Sequence, residues 1–156
     1  MDSPRWLNED EQRFWRKLLQ SRQFAVRAMD EALQHASGIS SPDFAILVNL
    51  SEDEDHCMRL NELGNLLGWD RSRVSHQVKR MERRGLLEKR ACSSDKRGIE
   101  VALTELGWQK IQAAAPGHVE TVRSIFFDQL EPGQLEALEK YLDSILEIRD
   151  TSKGEQ

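Results

Sequence analysis

Between Leu60 and Thr104 the chain reads as a helix, a tight turn, a second helix and a two-stranded ribbon with a basic tip. Few folds accept that order. Leu63, Leu66 and Leu67 are the inward residues of a short helix from about Asn61 to Leu67, and Gly68 closes it as a C-terminal glycine. Asp70 is placed to cap the next helix, Arg71–Arg84, with its carboxylate at the positive end of the helix dipole. Trp69 and Val74 flank that cap at the spacing of a hydrophobic staple. Gly85 ends the helix. Leu86–Arg90 and Ile99–Leu103 then read as a hairpin around the loop 91–98, with Ile99, Val101 and Leu103 alternating against Glu100 and Ala102. The expected fold is mostly α: a winged helix-turn-helix with a two-stranded wing.

Charge gives this element its partner. Residues 71–97 hold ten Lys/Arg against three Asp/Glu, a net of +7, while the 156-residue chain carries −5, so the remainder sums to −12. A basic block so localised on an acidic body fits a shaped phosphate-binding surface and not a general coating of nucleic acid. The second helix of a helix-turn-helix enters the major groove of duplex DNA. Val74, Val78 and Met81 share its inward face. Ser72, Arg73, Ser75, His76, Lys79, Arg80 and Arg83 form the expected DNA face. Near the helix N-terminus, Ser72, Arg73 and His76 are expected at base edges; Lys79, Arg80 and Arg83 are expected mainly at phosphates. In the wing loop, Arg97, with Lys96 beside it, suits a narrow minor groove, and Asp95 is expected to brace the loop. A solvated basic helix and an ordinary charged turn are the plain alternatives.

The flanks carry helical periodicity. Leu7, Phe14, Leu18, Ser21, Ala25, Met29 and Leu33 make one stripe of a long helix that Gly38 breaks. Ser41 is the expected cap of a second helix with Pro42 at its first position and Phe44, Leu47 and Val48 inward, followed by an acidic loop, Ser51–Asp55. Thr104 caps a long fifth helix that Pro116-Gly117 is expected to kink or split. A last helix starts near Pro132, with Leu135, Leu138, Leu142 and Ile145 in one stripe. A single domain is expected over 1–156, with a DNA-binding lobe at 41–104 and dimerisation helices at 5–37 and 105–149. Leu7, Phe14 and Leu18 packed with the stripe of the last helix are the expected dimer clamp.

Leu63–Leu67, Ser72–Val78, Met81–Leu87, and Asp95-Lys96-Arg97 followed by Val101–Gly107 together resemble the MarR (multiple antibiotic resistance regulator) family. Asp95, Arg97, Leu103 and Thr104 match the wing signature of that family. The resemblance implies a homodimeric transcriptional regulator on a pseudo-palindromic double-stranded operator, a repressor by family habit, and often a small-molecule effector that releases the DNA. It also suggests His118 and Arg123 near an effector cleft, with Trp15 and Trp108 as aromatic lining; core packing and surface pairing are the plain readings of the same residues.

Other chemistry has little to stand on. No nucleophile elbow, phosphate loop or zinc-protease motif occurs, so no enzyme is expected. His35, His56, His76 and His118 have no metal-pair spacing, and no cofactor is expected. Two cysteines, Cys57 and Cys92, suit a reducing compartment; Cys92, near Arg90 and Lys96, keeps a redox-responsive regulator of the same fold as an alternative. A dimeric helical interaction module with a basic face is a second alternative. No apolar run reaches the roughly 18–20 residues of a membrane span. Residues Met1–Trp6 do not resemble a signal peptide, so a cytoplasmic location is expected.

Overall fold

The computed structural model describes residues 4–91 and 99–153. The chain divides into two compact units, Met1–Thr121 and Val122–Gln156.

In the first unit, α1 spans Glu9–Ser37. Asn8 and Glu11 form a capping box at its start: Asn8 Oδ1 accepts from the Glu11 N–H at 2.9 Å, and Glu11 Oε2 from the Asn8 N–H at 2.8 Å. Gly38 closes the helix in the left-handed region, φ 67°. Helix α2 covers Ser41–Glu52. Its cap is Ser40, one residue before the expected Ser41, because Ser40 and not Ser41 has a carboxylate three residues on: Ser40 Oγ accepts from the Asp43 N–H at 3.3 Å, and Asp43 Oδ2 from the Ser40 N–H at 3.0 Å. The acidic loop is correspondingly shorter, since Ser51 and Glu52 stay helical.

Strand β1, Cys57–Arg59, was not foreseen in the sequence. It is followed by α3 (Leu60–Leu67), α4 (Arg71–Arg83), β2 (Leu87–Ala91) and β3 (Ile99–Leu103). The sheet therefore has three antiparallel strands in the order β1-β3-β2, with Met58 and Lys89 on either side of Val101. The expected two-stranded wing is the β2–β3 pair. The core of this unit joins Leu33 and Ile39 to Ile46, Leu47 and Leu50 of α2, Leu63 of α3, Val74, Val78 and Met81 of α4, and Val101 of β3, all essentially without solvent contact. Leu66 departs from expectation. It points to solvent, while Leu63 and Leu67, four residues apart, face the core.

Helix α5, Glu105–Val122, runs through Pro116 as one helix, so Pro116-Gly117 does not split it. Thr104 starts α5: its Oγ1 accepts from the Gly107 N–H at 3.0 Å and donates to the Gly85 carbonyl at 2.6 Å. That bond ties the start of α5 to the turn that ends α4. Gly107 is pressed against this turn, and a Cβ there would lie 2.2 Å from the Leu86 carbonyl oxygen. The second unit holds a π-helical turn, Arg123–Phe127, and α6, Gln134–Lys153. No helix among the described residues is long and apolar enough to cross a membrane.

Candidate nucleic-acid interface

Helix α4 divides cleanly into two faces. Val74, Gln77, Val78 and Met81 are buried. Ser72, Arg73, Ser75, His76, Lys79, Arg80 and Arg83 are all exposed, as is Arg71, which the sequence reading left out of the face. Among the described residues no carboxylate forms an ion pair with Arg71, Arg73, Lys79, Arg80 or Arg83. Their guanidinium and ammonium groups offer donors of the kind that meet phosphates and base edges.

The start of α4 is closely fixed. Gly68 takes φ 63°, which turns the chain sharply out of α3. The Trp69 N–H then donates to the Gly64 carbonyl at 2.9 Å, and Asp70 Oδ1 accepts from the Arg73 N–H at 2.8 Å. Trp69 packs against the core, and the Arg73 guanidinium carbon lies 4.2 Å from the centre of its ring.

The end of α4 is fixed differently. Arg84 belongs to the basic block by count, yet its Nη1 donates to Asp43 Oδ2 at 2.6 Å and its Nη2 to the Gly38 carbonyl at 3.0 Å. Gln77 Nε2 donates to the other carboxylate oxygen at 2.7 Å. Burial pushes the Asp43 carboxyl up, but the Ser40 N–H and the Arg84 guanidinium outweigh it and hold the group below the ordinary carboxylate range. Lys89 is likewise engaged, with Glu82 at 2.9 Å, and Arg90 Nη2 donates to the Asp55 carbonyl at 3.3 Å. The outward charge is therefore narrower than the block read from sequence. Asp95, Lys96, Arg97 and Cys92 lie outside the described residues.

A family model described as MarR family matches residues 37–98. The crystal structure of AbsC, a MarR family transcriptional regulator from Streptomyces coelicolor, is 38% identical, covers 95% of this chain and 99% of that one, and superposes with a TM-score of 0.89. The chain belongs to the MarR family. Sco3205, a MarR family transcriptional regulator from the same organism solved in complex with DNA, is 35% identical over 94% of this chain and 92% of that one, with a TM-score of 0.86. The transcriptional repressor MprA of Escherichia coli (strain K12) is 28% identical over 114 residues, 72% of this chain and 65% of the repressor. The chain thus spans just under two thirds of the length of that curated relative. These relatives are transcriptional regulators rather than enzymes.

Within this MarR-family chain the four residues suggested for an effector fall as follows. Trp15, on α1, is about half exposed. Trp108, near the start of α5, is partly buried, with its ring centre 5.0 Å from that of His56. His118, further along α5, is partly buried with its ring centre 4.3 Å from that of Phe44. Its Nδ1 is buried with no hydrogen-bond partner among the described residues, and burial lowers its pKa. Arg123, in the second unit, is exposed and donates to Asp128 at 3.4 Å. The second unit has an apolar groove of about 690 Å³, bordered by Phe126, Phe127, Leu135, Leu138, Leu142 and Leu146 among others. None of the four suggested residues borders it. Cys57 is half-buried and its Sγ lies 3.6 Å from Glu100 Oε2; burial pushes its thiol up, away from the thiolate a redox sensor needs.

Proposed function

We propose that the chain acts as a homodimeric, sequence-specific regulator of transcription that binds a pseudo-palindromic double-stranded operator, as a repressor, in the cytoplasm. The observation that carries this reading is the exposed face of α4, where Ser72, Arg73, Ser75, His76, Lys79, Arg80 and Arg83 stand opposite a wholly buried face. Ser72, Arg73 and His76 read base edges from the N-terminal half of the helix. Lys79, Arg80 and Arg83 bind phosphates. Lys96 and Arg97 join them from the wing, with Asp95 as brace, on the strength of the sequence alone. The complex of Sco3205 with DNA supports the choice of partner. That MprA is a transcriptional repressor supports repression.

Dimerisation is supported by apolar surface that a lone protomer leaves in water. Leu7, just before α1, Phe14 and Leu18 on it, and Leu135, Leu138, Leu142 and Ile145 on α6, are each between two-fifths and three-fifths exposed. A second copy covering both stripes removes them from solvent. For a small-molecule effector, suggested by the family resemblance, Trp15, Trp108, His118 and Arg123 remain the candidate contacts.

The test is selection of duplexes from a random pool by the purified full chain. The reading expects enrichment of one sequence with two related half-sites about one helical turn apart, roughly 34 Å. Recovery of unrelated sequences, with binding abolished by competitor DNA, overturns it and leaves the interaction module as the better account.

A further inference from the structure

We propose that Trp69 is a positioning residue for base readout: its indole holds the Arg73 guanidinium flat, so that its edge is presented to a guanine in the major groove. This rests on the DNA-binding reading of α4 and adds a residue outside that helix to its specificity.

Three observations combine. The indole is a fixed plate. The Trp69 backbone N–H is bonded to the Gly64 carbonyl at 2.9 Å, and its ring packs against the core. The arginine is long and exposed, yet its guanidinium lies over the indole. Arg73 is exposed, lies four residues on from Trp69, and has its guanidinium carbon 4.2 Å above the ring centre. The arginine backbone is fixed as well, through the bond from its N–H to Asp70 at 2.8 Å.

All donors of a guanidinium lie in its own plane. An ion pair would engage that edge, whereas stacking on an aromatic face leaves it open. Guanine presents O6 and N7 as two acceptors in the major groove, and a bidentate arginine is the group that matches them. A long side chain free in water loses rotamer freedom when it binds. One already held on an indole loses less. The pair therefore supplies affinity and direction together, from the first turn of the helix, where base edges are within reach.

The experiment uses the full chain and the duplex it selects from a random pool, with Trp69→Leu, Trp69→Phe and Arg73→Ala alone and in combination. Trp69→Leu should weaken binding to the selected duplex by about two- to thirtyfold, the range of a cation–π contact. It should relax the preference at the same base pair that Arg73→Ala relaxes, and weaken binding to unrelated duplex little. In the Arg73→Ala background its effect should vanish. Trp69→Phe, which keeps a ring on the same core, should restore most of the preference. If Trp69→Leu lowers the unfolding midpoint, the Trp69→Phe series carries the comparison, with a smaller loss that again disappears with Arg73→Ala. Equal binding by wild type and Trp69→Leu overturns the proposal. So does a loss of the same size with and without Arg73, which would mean that Trp69 acts through the fold. If the wild-type chain enriches no sequence, the DNA reading itself falls and this inference with it, a result distinct from either of the others.

Discussion

Arg84, the residue that ends α4, donates to the buried carboxylate of Asp43 at the start of α2, 41 positions earlier, at 2.6 Å. Its other terminal nitrogen donates to the Gly38 carbonyl. One side chain thus ties the end of α4 to the junction between α1 and α2. A rotation of α4 about its own axis would have to break a pair whose acidic member is nearly fully buried. The same carboxylate caps its own helix and accepts from Gln77, so three contacts converge on it.

The pair should respond asymmetrically to mutation. Arg84→Ala leaves a buried carboxylate without its cation and should destabilise the fold by about 2–4 kcal/mol. Asp43→Asn should cost less, because the Arg84 side chain is 40% exposed and its charge can return to water. Urea denaturation of both variants checks this, and equal losses would contradict it. The pH dependence has a definite sign. The Asp43 pKa is depressed in the folded state, so its contribution is present above the ordinary carboxylate pKa and is lost as pH falls through the lower folded value.

Gly107→Ala should be among the more damaging small substitutions. The added Cβ would sit 2.2 Å from the Leu86 carbonyl oxygen, which belongs to backbone and cannot swing aside. We expect a loss of about 1–3 kcal/mol from the forced shift of α5 away from the turn that ends α4. Thermal unfolding measures it; an unchanged midpoint would show that this junction yields freely.

His118 predicts a second pH effect. Burial depresses its pKa below the ordinary 6.5, and its Nδ1 has no partner among the described residues. A depressed value means that stability is intact above the ordinary pKa and falls as pH drops through the folded one. His118→Phe, stacked on Phe44, should remove this loss, followed across the range of about pH 5–8 in which histidine side chains titrate. Urea midpoints for both proteins across that range decide it. Parallel curves would mean that His118 does not titrate within the fold's stability range.

Much of this architecture is legible in the chain because its signals are local. Val74, Val78 and Met81 recur at helical spacing, Asp70 and Gly68 punctuate the turn, and Ile99, Val101 and Leu103 alternate. What escaped depends on contacts between distant segments or on very short elements. Strand β1 has three residues, too few to show a period of two. Ser40 and Ser41 are chemically alike as caps, and only the carboxylate of Asp43 chooses between them. Gln77 is polar yet buried, because Asp43 meets it from another helix. Arg84 adds to the basic block by count, and only its distant partner Asp43 shows that its charge is engaged. The Trp69–Arg73 pair did carry a readable sign, an aromatic and an arginine four residues apart across a helix start, but the staple reading took Trp69 for packing alone.

Leu142→Glu tests the dimer. In a lone protomer Leu142 is exposed on α6, so a carboxylate there harms the monomer little. Under a second copy it would be buried without a partner, which is costly. Analytical ultracentrifugation should show a monomer, and a DNA titration should show loss of binding with the α4 surface unaltered. A variant that stays dimeric and binds normally would place the clamp elsewhere.

The most direct test of DNA readout by α4 is a titration of wild type, Arg73→Ala and Lys79→Ala against the selected duplex and its single-base variants, across a range of salt. Arg73→Ala should lose about 1–3 kcal/mol on the selected duplex and flatten the preference at one base pair in each half-site. Lys79→Ala should weaken all duplexes alike and reduce the salt slope by about one. Uniform and equal losses in both variants, or a wild type that binds selected and scrambled duplexes with the same affinity, would contradict the account.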